Sequence, residues 1–285
     1  MSATVAELLR EAADLPGESP RRDAEVLLGH VLGVERSALY AFPERRVAPP
    51  LRARYRALLA ARRRGEPVAY LIGRREFWSL SLCVSPAVLI PRPETECLVE
   101  VALELPLPAD ARVVDLGTGS GAVALALARE RPGWRIVAVD CSPAAVALAR
   151  RNAARLGLER VEVRESDWFA AAAGPYHLVV SNPPYVAAGD PHLAQGDLRF
   201  EPPEALVAGA DGLAALREIV ASAPRHLLPG GWLAVEHGAD QGRAVHGLFT
   251  AAGFESVATH CDLAGRPRVT RGRRPGAAAG PGIPD

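Results

Sequence analysis

Two short stretches carry residue types spaced for chemistry. The first is Asp115-Leu116-Gly117-Thr118-Gly119-Ser120-Gly121, with Asp140 following 19 positions after Gly121. Glycines between an apolar run and an Ala-rich run permit a tight turn and close approach of backbone to a ligand. The helix expected just beyond offers free N–H groups. A carboxylate closing the next strand accepts hydrogen bonds from two ribose hydroxyls. The expectation is a nucleoside cofactor held by Gly117, Thr118, Gly119, Ser120, Gly121 and Asp140. Gly117, Gly119 and Ala122 also satisfy the G-x-G-x-x-G/A dinucleotide pattern, so the loop alone leaves an NAD oxidoreductase open.

The second stretch is Asn182-Pro183-Pro184-Tyr185. It directly follows the apolar run His177–Val180. If that run lies beside the first strand, both carboxyl ends open on the crevice where ligands bind in doubly wound sheets. The stretch suits an sp² NH₂ group, on an amide or on a base. Such a nitrogen is a poor nucleophile because its lone pair is delocalised, and a site that alkylates it should accept hydrogen bonds from both N–H groups. The Asn182 side-chain oxygen is one acceptor and the Pro183 carbonyl another. Pro183 and Pro184 stiffen the turn and remove competing donors. Tyr185 offers a flat face for stacking. None of the seven histidines falls in either motif.

The elements that must position these residues follow from periodicity. From residue 111, Arg112–Leu116, Arg135–Val139, Val161–Val163, His177–Val180 and Trp232–Val235 read as strands, and Ala122–Arg129 and Pro143–Leu156 as helices. Such βα repeats predict a mostly parallel sheet covered on both faces. Before them, Thr4-x-x-Glu7 predicts a capping box. Ser19-Pro20 predicts an N-cap with proline in the first turn, and Gly33 closes that helix. A third helix is expected after Pro49-Pro50, ending at Arg62-Arg63-Arg64, which reads as a solvated helix end favoured by the helix dipole. Glu76–Val84 and Ala87–Ile90 predict a β-hairpin. The expected domains are a helical domain over 1–74, a hairpin linker over 75–98, an α/β domain over 99–274 and a disordered tail over 275–285.

The composition is that of a globular chain. Hydrophobic residues make up 49% and charged residues 23% of 285 residues, which excludes disorder over most of the length. Charge is balanced at 33 basic and 33 acidic residues. A constitutive nucleic-acid binder more often carries a basic surplus. Every basic residue is Arg, and the chain has no Lys, which reads as genome composition. Four cysteines without a C-x-x-C pair suggest neither a zinc site nor a disulfide framework, in keeping with a reducing cytosol. No apolar run is long enough to span a membrane, and the first residues do not form a secretory signal. A cytoplasmic location is expected.

The loop D-L-G-T-G-S-G resembles the first motif of class I S-adenosylmethionine-dependent methyltransferases. With Arg75–Leu80, Leu89–Glu96, Ser166–Phe169, Ser181–Tyr185 and Arg199–Pro202, the chain from about residue 5 to 274 resembles the HemK/PrmC family of release factor glutamine methyltransferases. The resemblance implies a Rossmann-like α/β fold with a small N-terminal helical domain joined by a β-hairpin. It implies transfer of a methyl group from S-adenosyl-L-methionine, giving S-adenosyl-L-homocysteine, to the side-chain amide nitrogen, N(5), of the glutamine in the Gly-Gly-Gln motif of class I peptide chain release factors. It implies that Gly117–Gly121 and Asp140 bind the cofactor, that Trp168 packs near its adenine, and that Asn182 touches both cofactor and substrate. Asn182, Pro183, Pro184 and Tyr185 then hold the substrate amide, with Asn182, Pro183 and Tyr185 as the catalytic set, while the helical domain docks the release factor. Trp168, an aromatic after the third strand, fits adenine stacking on its position as well, with a plain core residue as the alternative reading. Arg92, Glu94 and Glu96 either line the pocket or fix the linker through ion pairs. No metal, membrane or stable nucleic-acid partner is expected. The alternatives are glutamine methylation of a ribosomal protein, amino methylation of nucleic-acid adenine, and a cofactor-binding scaffold without activity.

Overall fold

The computed structural model describes residues 3–17, 19–172 and 174–276, so the tail expected over 275–285 lies almost wholly outside the described residues. The chain forms two compact units. The first comprises Met1–Arg74 together with Pro191–Glu201. The second comprises Arg75–Asp190 and Pro202–Asp285.

The first unit is helical: α1 (Val5–Arg10), α2 (Pro20–Leu32), α3 (Arg36–Ala41), α4 (Pro49–Arg63) and α5 (Val68–Ile72). The capping box forms as expected: Thr4 Oγ1 accepts from the Glu7 amide, and the Glu7 carboxylate accepts from the Thr4 amide at 2.8 Å. Ser19 makes no side-chain cap, so the start of α2 rests on Pro20, whose φ already fits a first turn. Leu8, Leu27, Leu28, Tyr55 and Leu59 bury against one another. Each such side chain contributes roughly 1.5–3 kcal/mol.

Arg62 is no solvated helix end. Only 9% exposed, it donates from Nε to Asp23 at 2.8 Å and from Nη1 to Asp197 at 3.0 Å. It also reaches the Glu66 carbonyl at 3.2 Å. Arg199 donates to the Arg64 carbonyl at 2.6 Å. These bonds draw residues 191–201 into the helical unit. Buried guanidinium needs several acceptors, and α4 ends where loop carboxylates and carbonyls supply them.

The second unit opens with the hairpin β1 (Arg74–Phe77) and β2 (Leu80–Cys83), followed by α6 (Glu96–Glu104). Residues 75–98 do not form a free linker. Phe77, Leu80, Leu82, Cys97 and Leu98 enter the core of this unit, because the alternating apolar residues need a face to bury against. Ala87–Ile90 leaves a turn as irregular backbone rather than forming a strand.

The central sheet contains β3 (Arg112–Leu116), β4 (Arg135–Asp140), β5 (Glu162–Glu165), β6 (Tyr176–Ser181), β7 (Leu227–Glu236), β8 (Glu255–Cys261) and β9 (Pro267–Arg273). Its order is β5-β4-β3-β6-β7-β9-β8. The first five run parallel, and β9 and β8 are antiparallel additions. Alternate residues face opposite cores. Val113, Leu178 and Val180 meet α6 together with α7 (Ala122–Glu130) and α8 (Pro143–Arg155). Val114, Val179 and Leu233 meet α9 (Ala214–His226) and α10 (Gly242–Ala251). The strand order departs in opposite directions from β3 and β6, so a crevice opens at their carboxyl ends. Their last residues, Leu116 and Ser181, are in register, and the Ser181 hydroxyl donates to the Leu116 carbonyl at 2.7 Å.

Candidate active site in the crevice between β3 and β6

The glycine loop leaves β3 with Gly117, Gly119 and Gly121 at φ +69°, +55° and +85°. Side chains rarely adopt these values, which is why three glycines alternate here. Asp115, 1% exposed, pins the turn from below. Its Oδ2 accepts from the Thr118 hydroxyl at 2.7 Å and from the Ala124 amide at 3.2 Å. Burial pushes its carboxyl up to about 7 against those two bonds. Asn152 on α8 fixes the far side: Nδ2 donates to the Ser120 carbonyl at 2.8 Å and to the Cys83 carbonyl at 3.0 Å, while Oδ1 accepts from the Cys83 amide at 2.7 Å. One buried amide thereby ties loop, helix and hairpin together.

Asp140 closes β4 at the mouth of the crevice. Its Oδ2 accepts from the Gly119 amide at 2.8 Å and its Oδ1 from the Ser142 amide at 2.9 Å. An ionised carboxylate has about four acceptor positions, so each oxygen keeps a lone pair for a further donor. Burial raises its carboxyl, and the two amides oppose that rise.

A cavity of about 160 Å³ lies over the loop. Gly117–Ser120 and Asp140 form its floor, and Trp168 forms one wall. Trp168 sits at φ +40°, and the Ser166 hydroxyl donates to its carbonyl at 2.9 Å. A Cβ at Gly117 would come within 3.6 Å of the indole. The ring also packs against the second core, so one side chain both lines the cavity and joins the core. Ala87–Leu89 and Thr95 line another wall, and Pro202, Glu204 and Ala205 a third. Sequence reasoning missed these residues. The apolar Ala87–Ile90 run was legible as buried but not as a cavity wall. Gly121 does not line the cavity; it opens α7.

Of the tetrapeptide, Asn182 and Pro184 line the cavity, whereas Pro183 and Tyr185 do not. Asn182 Nδ2 donates to the Thr95 hydroxyl at 3.1 Å. Its Oδ1 is buried and has no hydrogen-bond partner. Such an orphaned acceptor costs roughly 1–3 kcal/mol, and it is offset when a ligand donor arrives. The Tyr185 ring packs against the second core, and its hydroxyl donates to Glu236 Oε1 at 3.1 Å. Desolvation, with the Glu236 charge beside it, pushes the Tyr185 phenol well above its ordinary range. Gln241 donates to the Tyr185 carbonyl at 2.9 Å, and any side chain at Gly212 would collide with that carbonyl.

Glu236, at the end of β7, was also missed. It is 1% exposed. Burial pushes its carboxyl up to about 7, opposed by the hydroxyls of Thr95 and Tyr185 and by the Arg268 charge. The available sign was an acid closing a strand next to the crevice, the pattern already used for Asp140. Among the described residues no cluster of His, Cys, Asp or Glu could hold a metal, the four cysteines are free, and no helix is long and apolar enough to cross a membrane.

Two family models match the chain. Residues 3–73 match the PrmC N-terminal domain and residues 94–197 the methyltransferase small domain. The chain is 54% identical over 271 residues to the release factor glutamine methyltransferase of Pseudomonas aeruginosa, covering 95% of this chain and 98% of that one. It is 52% identical over 268 residues to the protein of the same name from Escherichia coli, covering 93% and 97%. The fold resembles a methyltransferase from Pyrococcus furiosus, with a TM-score of 0.53 at 17% identity over 69% of this chain and 89% of that chain.

Proposed function

The chain belongs to the family of release factor glutamine methyltransferases, and we propose that it transfers a methyl group from S-adenosyl-L-methionine to the side-chain amide nitrogen of the glutamine in the Gly-Gly-Gln motif of class I peptide chain release factors. The observation that carries this reading is Asn182 Oδ1, an acceptor buried without a partner on the cavity wall at the sheet's switch point.

The residues present fit the cofactor. Asp140 keeps open lone pairs for ribose hydroxyls, Trp168 presents an indole for the adenine, and Gly117–Gly121 let the backbone come close. S-adenosyl-L-methionine supplies a methyl group already activated on a sulfonium. What remains for the chain is alignment, which accounts for much of the rate in such transfers. Asn182 Oδ1 accepts an N–H of the glutamine amide and so orients the nitrogen for the transfer, while Pro183, expected as a second acceptor, stands outside the cavity wall. Pro184 keeps the backbone rigid there. Tyr185 braces the turn from the core side, a role different from the stacking surface its sequence position suggested. The methylated amide nitrogen is strongly acidic and loses its proton without a dedicated base. Residues 1–74 serve as the docking domain for the release factor, and the reaction takes place in the cytoplasm.

The test is methyl transfer from labelled S-adenosyl-L-methionine to a class I release factor, to its Gly-Gly-Gln variant carrying Gln→Ala, and to a duplex oligonucleotide. Label is expected on the intact factor alone. Label on the oligonucleotide alone would make the chain a nucleic-acid amino methyltransferase. Label on ribosomal protein with none on the factor would move the substrate within the family.

A further inference from the structure

A side-chain amide can present either its oxygen or its NH₂ to a substrate, and only one choice works for an incoming NH₂ group. Something must fix the rotation of Asn182. Near the crevice, among the described residues, Asn182 Oδ1 and Glu236 Oε2 are buried acceptors without a hydrogen-bond partner. Thr95, 4% exposed, stands between their side chains. It accepts from Asn182 Nδ2 at 3.1 Å and lies close enough to Glu236 to act on its carboxyl. Tyr185 donates to the other oxygen of the same carboxyl.

We propose that Glu236 and Thr95 are positioning residues that set the polarity of the Asn182 amide, and so decide that an acceptor rather than a donor faces the substrate nitrogen. The argument rests on hydrogen inventory. A hydroxyl has one proton and two lone pairs. On its own, Thr95 could donate to Asn182 Oδ1 as readily as accept from Nδ2. The first arrangement turns the NH₂ of Asn182 outward, where it opposes the two N–H groups of an incoming amide. Above about pH 7, where Glu236 is ionised, its carboxylate has no proton to give. The Thr95 hydroxyl turns its proton toward the Glu236 carboxylate beside it, which leaves Thr95 only lone pairs for Asn182. The chain of donors then runs from Asn182 Nδ2 to Thr95 Oγ1 to Glu236, and Oδ1 points outward. Tyr185, donating to Oε1, ties the last residue of the tetrapeptide to the same carboxylate. Glu236 does not line the cavity, so it acts entirely through Thr95 and Tyr185.

The inference deepens the proposed function and rests on that reading for the identity of the substrate nitrogen. Its test uses Thr95→Val, Thr95→Ser and Glu236→Gln in the full chain. Valine keeps the shape of threonine without the hydroxyl. Serine keeps the hydroxyl. Glutamine keeps the shape of Glu236 but brings a donor to a place that must only accept. At saturating cofactor and release factor, Thr95→Val and Glu236→Gln are expected to lower kcat about tenfold or more, as for a lost active-site hydrogen bond. Thr95→Ser should stay within about threefold of the unaltered chain, and the Kd for S-adenosyl-L-methionine in Glu236→Gln within about threefold, on the scale of less than one hydrogen bond. A second readout needs no turnover. The side-chain NH₂ resonances of Asn182, assigned by their absence in Asn182→Ala, should exchange slowly in the unaltered chain and faster in Thr95→Val and Glu236→Gln. Unchanged kcat and unchanged exchange in both variants would overturn the proposal. So would a loss confined to cofactor affinity or to melting temperature. If the unaltered chain labels a different substrate, the functional reading fails, and the same kcat ratios on that substrate still decide the role of Glu236.

Discussion

The two walls of the crevice handle hydrogen bonding in opposite ways. On the β3–β4 side the polar groups are already engaged: Asp115 is held by Thr118 and Ala124, Asp140 by Gly119 and Ser142, and the Ser120 carbonyl by Asn152. On the β6 side Asn182 Oδ1 lines the cavity as a buried acceptor without a hydrogen-bond partner. The first wall is a finished surface that fits a ligand by shape, adding lone pairs only at Asp140. The second is incomplete until a donor arrives. A wall of the first kind suits a cofactor that must bind in one pose, and a wall of the second kind suits a substrate whose N–H groups must be turned.

The largest expected effect breaks the incomplete wall. Asn182→Ala should lower kcat for methyl transfer on the order of 100-fold, the usual loss when an oriented polar partner of the reacting group is removed. Circular dichroism and melting temperature should remain close to those of the unaltered chain. Full activity in this variant would remove the basis of the proposed function. On the finished wall, Asp140→Ala should raise the Kd for S-adenosyl-L-methionine by roughly 10–100-fold, the weight of charge-assisted hydrogen bonds. Calorimetric titration measures it, with kcat at saturation changing far less. If the variant instead lost kcat at unchanged affinity, the contrast between the walls would be reversed.

Asn152→Ala sharpens the same contrast on the side of stability. It strips partners from Ser120 and from both backbone groups of Cys83, and should cost about 1–3 kcal/mol in denaturant unfolding. Both walls share a pH signature. Asp115 and Glu236 have ordinary values of 3.8 and 4.5 and are each pushed up to about 7 by burial. The folded chain therefore holds these protons more tightly than the unfolded chain. Their contribution to stability is complete below about pH 4 and is lost as pH rises through about 7. Melting temperature should fall across that window, and Asp115→Asn should flatten the fall. The smallest effect lies in the helical unit. Asp197→Ala removes one partly exposed ion pair with Arg62 and should cost less than about 1 kcal/mol.

Local patterns made the finished wall legible. Glycines with positive φ, a preceding acid and a second acid one βα unit later all lie within a short stretch of chain, so spacing alone revealed them. Asn182 was legible for the same reason, as a polar residue ending an apolar strand. Its orientation was not. Thr95 is 87 positions away from Asn182, and Glu236 is 51 positions beyond Tyr185, and no periodicity links such distant residues. The same limit hid the membership of residues 191–201 in the helical unit, which depends on Arg62 reaching Asp197 and on Arg199 reaching the Arg64 carbonyl. Alternation in the hairpin was read correctly as strand, but the burial of Phe77, Leu80 and Leu82 in the second unit was not. Periodicity shows that a face is apolar without showing what covers it. β8 escaped notice because it is an edge strand without a buried residue, and β9 because its buried Val269, Thr270 and Gly272 are interleaved with arginines and make no apolar run.

The antiparallel turn of β9 has a practical side. Its register sets Val269 beside Glu236 and Arg273 beside Trp232, so the chain travels from the catalytic rim back to the opposite rim of the sheet before residue 274. Arg274 is fastened there by mutual backbone bonds with Gly230 and Gly231. An affinity handle or surface tether attached after this point would hold the sheet by the rim opposite its crevice. The protein could then be immobilised on a sensor with its crevice facing the solution.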